Sequence, residues 1–340
     1  MELTKKDTKM LQGLSVLAMV CLHLFNRNYE GLFQPLLFIQ GTPVSFYISQ
    51  LSDFCVMGFA FCSGYAHMLL YDQEGYYKKR IRSLFSLMKN FWLILIIFTI
   101  ASVVIGQAEF MPGSAMKFLK NALCLENSYN GAWWYMYTYI ILVVISPVIL
   151  KFIKMSPPMF SLGIGFAIYC VAYLIRFKIP VDNWFLIKFG PFGMTLFEYM
   201  LGAVFCERKL FTRIHEKWIK LPKYIRVGVA IGTVAAMLYV RTKIVPSLAV
   251  APMTGLVIIC LFHFWKKPQW AEKFFMLIGK HSTNIWLIHM FFYAVLFKNL
   301  VYIAKYPILI FVLMIAITVI VSKVIMTIEN FLTKVIKNLC

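Results

Sequence analysis

Apolar residues fall in runs of about 17 to 23, separated by shorter polar stretches that carry most of the Lys and Arg, from residue 10 to residue 326. A helix that crosses roughly 30 Å of hydrocarbon needs about 20 such residues and pairs all its backbone groups internally. The pattern predicts ten spans, near 10–26, 53–71, 84–106, 134–154, 159–176, 190–206, 226–241, 248–265, 282–299 and 306–326. The expected fold class is therefore all-α, a polytopic membrane protein. Two polar intervals, 27–52 and 107–133, are long enough to fold back onto the membrane face, and the second ends in Trp133-Trp134-Tyr135. No internal repeat is visible. One integral-membrane domain over 1–340 is expected, with no fused extracytoplasmic domain.

Orientation follows from where the basic residues sit, because cytoplasmic flanks retain Lys and Arg. With the N-terminus inside, 24 of the 34 Lys and Arg lie on the inner side, among them Lys5, Lys6, Lys9, the run Lys78 to Arg82, and most of 208–226. Both termini are then cytoplasmic. The first run is followed by Phe25-Asn26-Arg27 in place of small cleavage-site residues, so it is expected to remain as a span.

Composition agrees: 61% of residues are hydrophobic and 14% charged, far from the balance of a soluble domain. The net charge of +20 sits between apolar runs, and the aromatics lie mostly inside them. That excludes the solvated basic face, with stacking rings, that nucleic acid requires. Eight cysteines carry no metal-ligand spacing and form no disulfide framework, so no metal is expected.

Ionisable groups inside spans are costly and point to function. His23 stands 14 residues beyond Lys9, about 21 Å along a helix and in the outer half of the membrane. Its imidazole can take a proton from a hydroxyl or carry an acyl group, or it can simply bond a carbonyl near the helix end. His289 lies nine residues beyond Lys280, near the membrane centre, where it can orient another group or form an interhelical hydrogen bond. Glu198, midway along its span, needs a partner or a proton. His67, nearer the cytoplasmic end, is expected to be structural. Lys78-Lys79-Arg80-Ile81-Arg82 can bind phosphate, although a positive-inside flank explains it equally. Ser63-Gly64-Tyr65 offers a hydroxyl and a place where two chains can approach closely. Trp133, Trp134 and Tyr135 suit an interfacial belt or a platform for apolar sugar faces. No Gly-rich phosphate loop, His-Glu-x-x-His helix or Gly-x-Ser-x-Gly elbow is present, which disfavours classical nucleotide hydrolases and metalloproteases.

In their order along the chain these segments resemble the acyltransferase-3 family. Leu11 to His23 is similar to the family's opening helix with its functional His. Phe59-Ala60-Phe61-Cys62-Ser63-Gly64-Tyr65, followed by the basic cluster, resembles its aromatic run into Ser-Gly-Tyr. Gly131-Ala132-Trp133-Trp134-Tyr135, Tyr199-Met200-Leu201-Gly202 and Ile278 to His289 match later segments. The family carries Arg or Lys eleven positions before the His, whereas this chain has Gln12, with Lys9 one turn away on a similar face.

The resemblance implies a membrane-bound O-acyltransferase of the bacterial cytoplasmic (inner) membrane. It would move an acyl group, most often acetyl, from cytosolic acetyl-CoA to a sugar hydroxyl of an envelope or exported glycan, directly or through a separate extracytoplasmic transferase. Lys79, Arg80 and Arg82 would hold the CoA phosphates, with Ser63, Tyr65, Lys9 and Gln12 nearby candidates on the donor side. His23 would activate the hydroxyl or relay the acyl group, with Glu198 and His289 in support. A proton-coupled transporter or flippase, or an inactive scaffold, are the alternative readings.

Overall fold

The computed structural model describes residues 2–243 and 250–339, and its backbone is almost wholly helical. The helices are α1 (Lys5–Phe25), α2 (Val44–Leu51), α3 (Cys55–Leu70), α4 (Tyr76–Val104), α5 (Ala115–Ala122), α6 (Trp134–Met155), α7 (Pro158–Phe177), α8 (Trp184–Glu207), α9 (Leu210–Trp218), α10 (Lys223–Lys243), α11 (Ala251–Phe264), α12 (Gln269–Met290), α13 (Lys298–Tyr302) and α14 (Pro307–Leu339). Among the described residues eight segments are long and apolar enough to cross a membrane. They are Lys5–Phe25, Val44–Leu70, Tyr76–Val104, Gly131–Met155, Pro158–Phe177, Trp184–Glu207, Lys223–Val240 and Pro307–Val335.

The two remaining predicted spans take other forms. Residues 248 and 249 of the span at 248–265 lie outside the described residues, and the rest is α11, apolar but only 14 residues long. The span at 282–299 belongs to a helix that starts at Gln269, ends at Met290 and continues as a π turn over Phe291–Val295. The fold-back at 27–52 is not all loop: a two-stranded hairpin pairs Phe38 with Pro43, after which α2 and a 3-10 turn (Ser52–Phe54) run directly into α3. The second fold-back contains α5, capped by the Ser114 hydroxyl.

Local chemistry fixes the ends. Thr4 caps α1 through a box in which its hydroxyl accepts from Asp7 N at 3.1 Å and the Asp7 carboxylate accepts from Thr4 N at 2.9 Å. The Asn183 side chain caps α8 by accepting from Phe185 N and Leu186 N. Pro157 and Pro158 open α7, where a missing N–H has no helical partner to lose.

The described residues divide into two compact units, one of 1–29, 35–76 and 145–280, the other of 30–34, 77–144 and 281–340. In the first, a core of Met10, Phe61, Tyr65, Phe205, Phe211 and Phe262 gathers around α1, α3, α8 and α11. Helices α1 and α3 run antiparallel: Leu3 N donates to Tyr65 Oη at 3.1 Å, and at the other end Gln50 Nε2 donates to Asn26 Oδ1 at 2.6 Å.

At two seams in this unit glycines let the helix backbones touch. A Cβ added at Gly64 would fall on the Tyr199 carbonyl oxygen, and one at Gly202 on that of Phe61, so α3 and α8 touch backbone to backbone. Gly13 against Phe275 O and Gly279 against Lys9 O make the same contact between α1 and α12.

The second unit is built on aromatic packing. Phe98 stacks on Phe291 at 4.2 Å, and Trp133 meets Phe91 at 4.8 Å and Phe291 at 5.7 Å edge to face. Beside these rings lies a buried polar chain. Asn90 Nδ2 donates to Asn284 Oδ1 at 2.6 Å, Asn284 Nδ2 donates to Ser322 Oγ at 3.0 Å, and Ser322 Oγ bonds His281 Nδ1 at 2.8 Å.

Candidate functional site

His23 occupies the last turn of α1, where the final carbonyls of a helix lack internal partners. The Arg27 guanidinium supplies one, donating to the His23 carbonyl at 2.9 Å. The antiparallel register with α3 brings Gln50 to Asp53 to this end of α1, and the Cys21 thiol bonds Ser52 there. Asp53 is only 6% exposed and Glu198 only 4%. Glu198 lies within electrostatic reach of Asp53 and of Arg176, and its Oε2 is buried without a hydrogen-bond partner. The first unit thus buries two carboxylates near a half-buried guanidinium, with His23 at the helix end that faces the segment containing one of them.

Asp53 is the residue that sequence reasoning missed. It was readable only as the polar edge of the span predicted to begin at 53. The 3-10 turn that continues α2 into α3 converts that edge into a buried position.

The other candidates of this unit are engaged in local contacts. Lys9 Nζ donates to Gln12 Oε1 at 3.0 Å, so the two residues discussed as alternatives for one position form a single pair. That pair stands about 16 to 21 Å along α1 from His23. Tyr65 Oη donates to the Glu2 carboxylate at 2.7 Å, and the other oxygen of Glu2 accepts from Thr212 N at 2.9 Å, which ties the N-terminal segment to α3 and α9. Ser63 Oγ donates to Phe59 O at 2.9 Å within its own helix. His67, 3% exposed, bonds Tyr199 Oη at 2.9 Å across the α3–α8 contact.

In the second unit, Lys78, Lys79, Arg80 and Arg82 occupy the first two turns of α4, where unsatisfied N–H groups add positive potential to their own. Lys79 and Arg82 are exposed, and Arg80 keeps a buried Nε without a hydrogen-bond partner. His289 is fully buried. Its Nδ1 donates to the Trp286 carbonyl at 2.7 Å, a bond inside its own helix that fixes the tautomer with Nε2 as acceptor, and its ring stacks on Tyr293 at 5.7 Å.

The Trp133 ring is enclosed, and its Nε1 donates to Leu287 O at 2.9 Å. Tyr135 meets Trp286 edge to face at 5.5 Å, while Trp134 is half-buried. His289 and Tyr135 therefore meet at Trp286, with Trp133 bonded to the adjacent Leu287. Asn90, His281, Asn284 and Ser322 were not singled out from the sequence, since all four become informative only as mutual partners. The signal available was the amide and hydroxyl inside apolar runs.

Among the described residues no three His, Cys, Asp or Glu side chains cluster as a metal site would. The family model Acyl_transf_3, described as an acyltransferase domain, matches residues 8–327. No curated protein matches, and no solved structure does.

Proposed function

Because the chain belongs to the acyltransferase-3 family, a family of acyltransferases, we propose that it moves an acetyl group from cytosolic acetyl-CoA to a sugar hydroxyl of an envelope or exported glycan. It would do so as a multi-pass protein of the bacterial cytoplasmic membrane, with both termini inside. The observation that carries this reading is the match over 8–327, which includes His23 in the last turn of α1.

Lys79, Arg80 and Arg82 would pair with the CoA phosphates, the two guanidiniums offering forked donors. The acceptor hydroxyl would meet His23, which takes its proton as the oxygen attacks the thioester carbonyl. The new C–O ester forms as the C–S bond breaks, and the proton passes on to the departing CoA sulfur. In an acyl relay, His23 would instead hold the acyl group between two such exchanges, and a separate extracytoplasmic transferase would complete the delivery. Buried Asp53 lies in the segment that the antiparallel register brings to that helix end, and Trp134, the half-buried ring of its segment, would offer a face to a sugar.

Mass spectrometry of envelope glycans from cells with the protein, without it and with His23→Ala tests the proposal. Acylation is expected to vanish in the last two, a loss of a general base being worth roughly 10²–10⁴ in rate. Normal acylation by a well-folded His23→Ala variant would overturn the assignment of His23, and unchanged glycans in the deletion would overturn the activity.

A further inference from the structure

The first unit contains a chamber lined by none of the residues assigned above to the transfer reaction. Its volume is about 1210 Å³, above the roughly 300–1,000 Å³ of an ordinary small-ligand site. It lies at the Lys5–Lys6 end of α1, between α9, α10 and the turn from α11 to α12. Its wall includes Lys223, Arg226, Lys266 and Lys267, with Trp218 and Trp265 between them.

Two carboxylates also face this space, but both are occupied. Asp7 is held in the Thr4 capping box, and Glu272 pairs with Lys6 at 2.6 Å. Lys223, Arg226 and Lys266 have no ion-pair partner among the described residues, and Arg226 Nε is buried without a hydrogen bond. Burial lowers the pKa of Lys267 from the usual lysine value, against the opposing charges of Asp7 and Glu272. Its ammonium sits 4.1 Å over the Phe262 ring. The chamber therefore has an unbalanced positive wall.

Ala230, Leu261 and Trp265 line this chamber and also an adjoining groove of about 630 Å³, whose remaining lining is Leu14, Ile231, Val234, Ala235, Leu238, Ile258 and Phe262. Among the described residues no polar side chain but the Trp265 indole enters it. It follows α10 for about 12 Å, from Ala230 to Leu238. Only 6% of the apolar window of α10 is buried in protein, so the groove lies on a helix turned largely to lipid. A basic head pocket continuous with an open apolar channel matches one kind of molecule. A small anion would leave the groove unused, and a soluble nucleotide would expose it.

We propose that this unit binds a phosphate-headed membrane lipid, its head among Lys223, Arg226 and Lys266 and one hydrocarbon chain along the α10–α11 groove. Its lining shares no residue with those assigned to acyl transfer, and the proposal does not rest on that activity. Salt is expected to weaken the head contacts and leave the chain contacts intact.

Native mass spectrometry of the full chain, stripped of lipid and titrated with phosphatidic acid or with phosphatidylcholine of the same chains, tests this. Phosphatidic acid is expected to be retained in preference. The Lys223→Gln/Arg226→Gln/Lys266→Gln variant should lower its retention at least tenfold, because each lost charge-assisted contact amounts to about a factor of ten or more. Ala230→Trp, which blocks the junction of chamber and groove, should lower it too, while Lys178→Gln/Lys188→Gln removes like charges elsewhere on the unit and should not. Equal retention of the two lipids, or undiminished retention by the triple variant, overturns the proposal. So does displacement of phosphatidic acid by millimolar inorganic phosphate, which would make the chamber a simple anion site. Palmitoyl-CoA binding that the triple variant loses while it keeps phosphatidic acid would make it a donor site and overturn the lipid assignment equally.

Discussion

Gly64→Ala and Gly202→Ala place one methyl group each into the α3–α8 seam, where the opposing atoms are the carbonyl oxygens of Tyr199 and Phe61. Neither oxygen belongs to a side chain that can rotate away, so the helices themselves must part until carbon and oxygen regain an ordinary separation of roughly 3.5 Å. Opening a packed seam by about 1 Å forfeits roughly a quarter to a half of the dispersion energy of each atom pair along it. The His67–Tyr199 hydrogen bond at 2.9 Å crosses the same contact and would lengthen with it. Small-to-large changes in packed cores ordinarily cost about 1–3 kcal/mol, and each of these belongs at or above the upper end. Because a single separation relieves both clashes, the double variant should cost less than the sum, by roughly 0.5–3 kcal/mol.

The assay is the unfolding midpoint of purified protein in detergent, read by tryptophan fluorescence. Gly163→Ala is the internal comparison: nothing lies within 4 Å of its added Cβ, so it should be neutral or stabilising by up to about 1 kcal/mol. If Gly64→Ala unfolds together with Gly163→Ala, or if the double variant is strictly additive, the backbone seam is not what holds these helices together.

Arg80→Gln/Arg82→Gln should weaken acetyl-CoA binding by about 1.5–3 kcal/mol per lost contact in calorimetry, and unchanged affinity in a folded double variant would reduce the cluster to a topology signal. Asn284→Ala removes both of its bonds, to Asn90 and to Ser322, and should lower stability by about 1–2 kcal/mol, given that single hydrogen bonds in membranes average near 0.6. A melting point equal to wild type would mean that waters replace the amide. Reporter fusions at the two termini are expected to report a cytoplasmic location for each, and an external signal from either would reverse the side from which the donor arrives.

The sequence made the spans legible because lipid demands long apolar helices wherever the chain crosses. The run predicted at 84–106 lies inside Tyr76–Val104 but for its last two residues, and that at 159–176 lies inside Pro158–Phe177. Close approach at Gly64 was readable too, as a small residue inside an apolar run, and its partner proves to be the Tyr199-Met200-Leu201-Gly202 segment.

What stayed hidden has two physical causes. Asp53 is buried in the 3-10 turn between α2 and α3, and α2 is too short for its periodicity to announce that turn. The chain of Asn90, Asn284, Ser322 and His281 joins positions far apart in sequence, so no local pattern distinguishes it from scattered polar residues. Lys9 and Gln12 were weighed as alternatives because one turn of helix gives neighbours without saying whether they bond.

The seams at Gly64 and Gly202 and at Gly13 and Gly279 also determine how stiffness is distributed within the first unit. Where backbones touch, no side chain can swing aside to admit a guest, and no side chain at the glycine itself interlocks to resist a small slide along the axis. Helices α3 with α8, and α1 with α12, are thus rigid against opening and tolerant of shear. A guest molecule cannot enter by prising them apart. α10, almost unburied along its apolar length, is the compliant wall of the unit, and traffic from the bilayer would pass along it.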